Sequence, residues 1–198
     1  MATAFDAQPE PGSRSAPAGI RKHAPPVIAV SGADIKINGK TVWFGDTLDS
    51  WKRSLGGTPT CYDEGIVICV WHDNGLSLGT DDKDKTRGTF MTINLTIEPA
   101  APGERSASWP KSPFRGTLKL DGIPINSATI FRDVLRQAPP ARELRCGDRG
   151  CGNPIAAFSD GANIHMILVR RSENSPILEF SIACTSTSAC LKLIPEQR

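Results

Sequence analysis

Six cysteines are the residues of this 198-residue chain with the clearest chemical potential: Cys61, Cys69, Cys146, Cys151, Cys184 and Cys190. Their spacings are Cys-x7-Cys, Cys-x4-Cys and Cys-x5-Cys, and no pair forms the Cys-x-x-Cys knuckle that structural zinc sites favour. No metal is therefore expected. Cys69 lies in the apolar run Ile66–Trp71 and reads as a core residue. The loop Cys146-Gly147-Asp148-Arg149-Gly150-Cys151 is the one place where the spacing suggests a local disulfide, which would need an oxidising compartment. The three histidines, His23, His72 and His165, sit in no G-x-S-x-G or H-E-x-x-H frame, and no glycine-rich phosphate loop is present. The chain reads as a non-enzyme without a cofactor.

Charge points to binding instead. The net charge is only +2, too weak to argue for nucleic acid. It is unevenly spread: residues 31–98 carry seven basic against ten acidic side chains, and residues 99–198 carry thirteen against nine. The acid of the first half gathers at Asp63-Glu64 and in the loop Asp81-Asp82-Lys83-Asp84-Lys85. Such a loop is either a solvated turn or an acidic rim that steers a basic partner. Trp71 and His72 lie between these two groups in sequence, and an exposed Trp at a strand end would anchor an interface. Asp63, Glu64, Trp71, His72, Asp81, Asp82 and Asp84 are thus the candidate partner-binding residues. Trp109, isolated in a Pro-rich stretch, is expected to pack across the junction between the two halves of the chain.

The elements that must position these residues follow from punctuation and periodicity. Residues 1–26 hold five of the 16 prolines and few bulky apolar residues, and read as a disordered tail. They contain no run of about 7–15 apolar residues behind a basic start, as a signal peptide would, and no stretch of the chain reaches the roughly 18–20 apolar residues of a membrane span. A cytoplasmic location is expected. Residues 99–113 read as a Pro-rich linker. The flanking segments, 27–98 and 114–198, resemble each other. Ile35-Lys36-Ile37-Asn38-Gly39 matches Leu118-Lys119-Leu120-Asp121-Gly122, and each ends in a two-residue hairpin signal. Thr47 and Thr129 each precede a short apolar-periodic segment and are expected to cap a helix. Three strands follow in each half: Gly65–Trp71, Leu76–Thr80 and Thr89–Ile97, then Pro154–Phe158, Asn163–Val169 and Ile177–Ala183. Thr89–Ile97 alternates, with Met91, Ile93 and Leu95 on one side. The fold class is α+β, as two tandem repeats, each a short helix packed on a mostly antiparallel sheet.

Gly45-Asp46-Thr47-Leu48-Asp49-Ser50-Trp51, then Leu55-Gly56-Gly57-Thr58-Pro59, a strand and the hairpin Asp73-Asn74-Gly75 resemble the repeat of β-lactamase-inhibitor proteins and small outer-membrane assembly lipoproteins. The first half is also similar to a bacterial domain family associated with immunity proteins of interbacterial toxin systems. The likeness covers about 65 residues there. The second half departs from it, with Asn126-Ser127-Ala128 and Ala138-Pro139-Pro140 at the corresponding places. The resemblance implies a protein that occludes a cognate toxin or effector, of type VI secretion type, in competition between bacteria. Its partner would be that protein rather than nucleic acid or a membrane, with the chain itself a monomer or weak homodimer. The alternative is an adaptor or chaperone for a secreted effector or envelope component.

Overall fold

A computed structural model describes residues 24–31, 34–97, 106–140, 143–147, 150–152, 165–168 and 172–184. Residues 1–23 of the expected tail, the segment 98–105 and the expected strand Pro154–Phe158 lie outside them. The strands are β1 (Val27–Ser31), β2 (Asp34–Ile37), β3 (Lys40–Val42), β4 (Thr60–Asp63), β5 (Val67–Trp71), β6 (Leu76–Gly79), β7 (Phe90–Asn94), β8 (Thr117–Leu120), β9 (Ile123–Ile125), β10 (Arg145–Gly147), β11 (Gly150–Gly152), β12 (His165–Leu168) and β13 (Glu179–Ala183). Two helices, α1 (Leu48–Leu55) and α2 (Phe131–Gln137), follow β3 and β9. The molecule is α+β, mostly sheet.

Alternation builds the first sheet, ordered β3-β2-β1-β8-β9. Its register lines Val42, Ile35, Val30, Leu120 and Ile123 into one apolar row, and Ile37, Ile28, Leu118 and Ile125 into the next. All nine are buried, while the intervening Lys36, Thr41 and Lys119 are exposed. The hairpins at Asn38-Gly39 and Asp121-Gly122 have positive φ at both turn residues, as the sequence signal requires. Most pairings are antiparallel, but β1 and β8 run parallel. The entry to that pair is tight: a Cβ at Gly116 would meet the Pro26 carbonyl oxygen at 2.0 Å.

The second sheet is ordered β10-β11-β12-β13-β7-β6-β5-β4 and is antiparallel throughout. Its inner rows are Cys69-Leu78-Met91-Ile182 and Trp71-Leu76-Ile93-Phe180. These rows, the inner rows of the first sheet and the buried helix residues Trp51, Leu55, Phe131 and Val134 form one continuous core. Trp51 is fully buried and stacks on Phe44 with ring centroids 5.3 Å apart.

The helix termini divide between expectation and surprise. Thr47 caps α1 through a hydrogen bond from the Ser50 amide, and Gly56 ends the helix with φ at 72°. Thr129 does not cap α2. That helix starts after Ile130, and the Thr129 hydroxyl accepts the Asn126 amide at 2.9 Å instead. Extended Ala138 ahead of Pro139-Pro140 ends α2.

The cysteines divide in the same way: the bond suggested at Cys146 and Cys151 is present, and a second one at Cys69 is not what the sequence suggested. Cys61 and Cys69 form a disulfide between β4 and β5, and Cys146 and Cys151 form another between β10 and β11. Both pairs stand directly opposite in the register of a hairpin, which brings the sulfurs within bonding range whatever the sequence spacing. Cys69 is buried, but it is not a free thiol. Cys184 is free.

Candidate functional site

The seven candidate residues converge only in part. Trp71 is 4% exposed and packs in the inner row, its Nε1 donating to the Gly56 carbonyl at 2.6 Å. It is a core residue and not an interface anchor, because odd positions of β5 face inward. His72 opens a single 3-10 turn, His72–Asn74, and its Nε2 meets the Tyr62 hydroxyl at 3.1 Å. The other ring nitrogen, Nδ1, is buried with no hydrogen-bond partner among the described residues.

The acidic loop is largely hydrogen-bonded to itself. The Asp81 Oδ1 accepts the amides of Lys83 and Asp84, and the Asp84 Oδ1 accepts both the amide and the hydroxyl of Thr86. Arg87 pairs with Asp84 at 3.4 Å and donates to the Gly45 carbonyl at 2.6 Å. Lys85 holds both oxygens of Asp63 at 2.8 and 3.0 Å. The hydrogen bond and charge of Lys85 keep the Asp63 carboxyl below its ordinary range, and the Thr86 hydroxyl and amide do the same for Asp84. Asp82 is exposed at the loop tip. Much of the acid counted from the sequence is thus neutralised by the loop's own Lys and Arg.

Glu64 leads elsewhere. Its two carboxylate oxygens accept the hydroxyls of Ser106 and Ser108 at 2.9 and 3.2 Å. The segment after Ser106, expected to be a linker, runs as a strap over the second sheet. The Ser112 amide donates to the His72 carbonyl, and the Phe114 amide to that of Asn94. Gly75, at φ 61°, is where the strap crosses, and a Cβ there would lie 2.2 Å from the Phe114 nitrogen. Ser108 and Pro110 are buried, whereas Trp109 between them is 51% exposed. Trp109 therefore stands out from the sheet and does not pack across a junction of two halves.

Under the strap lies a cleft of about 180 Å3 on the outer face of the second sheet. Ile68, Phe90, Trp109 and Pro110 form its apolar walls. Ser77, Thr92, Asn94 and Glu179 supply polar groups. Register places them together: Ser77 opposes Thr92, Thr92 opposes Ser181, and Asn94 opposes Glu179. The Ser181 hydroxyl lies 3.1 Å from that of Thr92 and donates to Glu179 at 2.9 Å. Burial raises the Glu179 carboxyl above its usual range, against the lowering by Ser181. The far end of the Phe90 ring covers Gly79, where a Cβ would fall 1.9 Å from its Cζ. The alternation of Thr89–Ile97 puts Phe90, Thr92 and Asn94 on one face, but Glu179 and Trp109 reach that face only through long-range pairing.

The described residues include no group of three or more His, Cys, Asp and Glu able to hold a metal ion, and no helix long and apolar enough to cross a membrane. The His165 side chain, His23 and Cys190 lie outside the described residues. Neither a curated protein nor a solved structure matches the chain. Residues 27–135, spanning β1 to α2 and hence the acidic loop, the strap and every cleft residue but Glu179, match the family described as Domain of unknown function (DUF7738), and the chain belongs to that family.

Proposed function

We propose that the chain is a non-catalytic binding protein that neutralises a protein toxin of interbacterial competition by covering its active site. The observation that carries the binding reading is the outer face of the second sheet, where an exposed Trp stands beside a half-buried carboxylate on a rigid platform. Aromatic side chains fixed next to a few polar groups concentrate binding energy. The hydroxyl–carboxylate chain of Thr92, Ser181 and Glu179 suits recognition of a donor, since a carboxylate is far too weak a base to ionise an alcohol. The toxin as occupant rests on the resemblance of the first half to immunity-protein domains.

The adaptor or chaperone reading calls for an exposed apolar groove. Among the described residues the large exposed hydrophobics are Val27 and Trp109, which favours a specific interface over a client-holding one. The two disulfides favour an oxidising compartment over the cytoplasm as the place of action. Tandem duplication belongs to the same reading. It is supported by the order of the second sheet, which runs outward from β7 to β4 as it does from β13 to β10, with a disulfide in each outermost hairpin.

Co-expression with the protein encoded by the neighbouring gene tests the proposal. A toxic neighbour whose growth inhibition is relieved, in a complex that survives size-exclusion chromatography, is the expected result. A neighbour that is harmless, or that stays toxic beside this chain, overturns it.

A further inference from the structure

The cleft on the outer face holds a carboxylate that no side chain among the described residues balances. Glu179 is half-buried on β13 opposite Asn94 of β7, and its hydrogen-bond partner among the described residues is the Ser181 hydroxyl. No Lys, Arg or His among the described residues lies within ion-pair distance of it. Glu64, tied to the strap through Ser106 and Ser108, likewise has no cation among those residues. This contrasts with the acidic loop, where Asp63 and Asp84 are both paired. A carboxylate taken partly out of water without a counter-charge is costly unless a ligand supplies one. The groups around Glu179 narrow the ligand. The Trp109 indole and the Phe90 ring offer flat aromatic surface, and the Ser77, Thr92 and Asn94 side chains offer oxygen acceptors on one wall. A planar cation with several donors in one plane matches that set, and a guanidinium has this shape: it stacks on an indole and donates a fork of N–H groups to oxygens at its edge.

We propose that the cleft receives the guanidinium of an arginine side chain from the bound protein, stacked on Trp109 with its charge on Glu179. This rests on the reading of the chain as a protein-binding molecule and names the group by which the partner would be held. It also separates two roles for acid on this surface. In the loop around Asp82 the neighbouring Asp63 and Asp84 are paired, while Glu179 makes the buried contact.

The test uses the full chain and the blocked tripeptide acetyl-Gly-Arg-Gly-amide, with its citrulline counterpart as a neutral isostere and its lysine counterpart as a non-planar cation. The readout is the NMR signal of the Trp109 indole N–H, assigned with Trp109→Phe. The arginine peptide is expected to shift that signal saturably, the citrulline peptide to bind at least tenfold more weakly, and the lysine peptide more weakly than arginine. Glu179→Gln, which keeps the Ser181 hydrogen bond available, is expected to weaken arginine-peptide binding tenfold or more, whereas Asp82→Lys leaves it within twofold. Absence of a saturable shift, equal binding of arginine and citrulline peptides, equal binding of lysine, or indifference to Glu179→Gln each overturns the proposal. The two readings fail separately. If the peptide binds as expected but the neighbouring gene's product is not neutralised, the toxin reading falls and the cleft assignment stands. If neutralisation occurs with undiminished affinity in Glu179→Gln, the cleft assignment falls instead.

Discussion

At the scale of single residues, the positions that matter most are those where a side chain or its absence shapes the outer face. Gly79 is the sharpest case, because the Phe90 ring occupies the space a Cβ would need. Gly79→Ala should push Phe90 off the sheet and cost about 1–3 kcal/mol, as overpacking does. Thermal unfolding would measure the cost, and the Trp109 indole signal would report the altered cleft wall. Thr47→Ala removes the α1 cap and should cost about 1 kcal/mol in denaturant unfolding. Thr129→Ala has no cap to remove. The contrast between the two threonines shows where local sequence suffices. Thr47 is followed by a residue whose amide can reach its hydroxyl, whereas Thr129 answers the turn at Asn126 first. Trp71 shows the converse. Its neighbours in sequence suggested a strand-end anchor, but its pairing with Leu76 puts it in the inner row.

At the scale of elements, the two disulfides each join adjacent strands at an outer end of the eight-stranded sheet. Edge strands are the parts of a sheet most open to fraying and to unwanted pairing. Replacing both Cys61 and Cys69 by Ala should lower stability by about 2–3 kcal/mol, the range for a short closed loop. Chemical denaturation with and without reductant would check this, since the double variant should no longer respond at that hairpin. The strap offers a second handle. Gly75→Ala meets both a left-handed backbone and the strap's own main chain, so it should release residues 112–114 and expose backbone amides that exchange slowly in the parent protein. The hairpins at Asn38-Gly39 and Asp121-Gly122 were readable in advance because turn chemistry is local. The pairing of Cys61 with Cys69 was not, since it depends on a register that no spacing rule between them encodes.

At the scale of the whole molecule, opposing titrations set the pH response. Asp63 and Asp84 titrate lower in the folded chain than when unfolded, so their contribution is complete above the ordinary Asp value of about 3.9 and is lost as the pH falls below it. Glu179 titrates higher when folded, so it carries a penalty while the carboxylate is charged, and that penalty disappears as the pH falls towards the ordinary Glu value of about 4.3. Melting temperature should therefore rise slightly on acidification from neutrality and then drop below about pH 4. Glu179→Gln should abolish the rise and leave the drop. The α+β class and the apolar rows of the first sheet were legible in alternation alone. The pairings that unite the molecule, β1 with β8 and β7 with β13, join residues far apart in sequence and leave no local trace.

The β7–β13 pair also bears on how the chain is made. β7 is synthesised long before β13, and until Glu179–Ala183 arrives its edge offers open amides and carbonyls beside Phe90 and Thr92. During that interval β13 of another copy fits the same edge with the same register, so crowded expression should yield exchanged dimers whose clefts each take Glu179 from a neighbour.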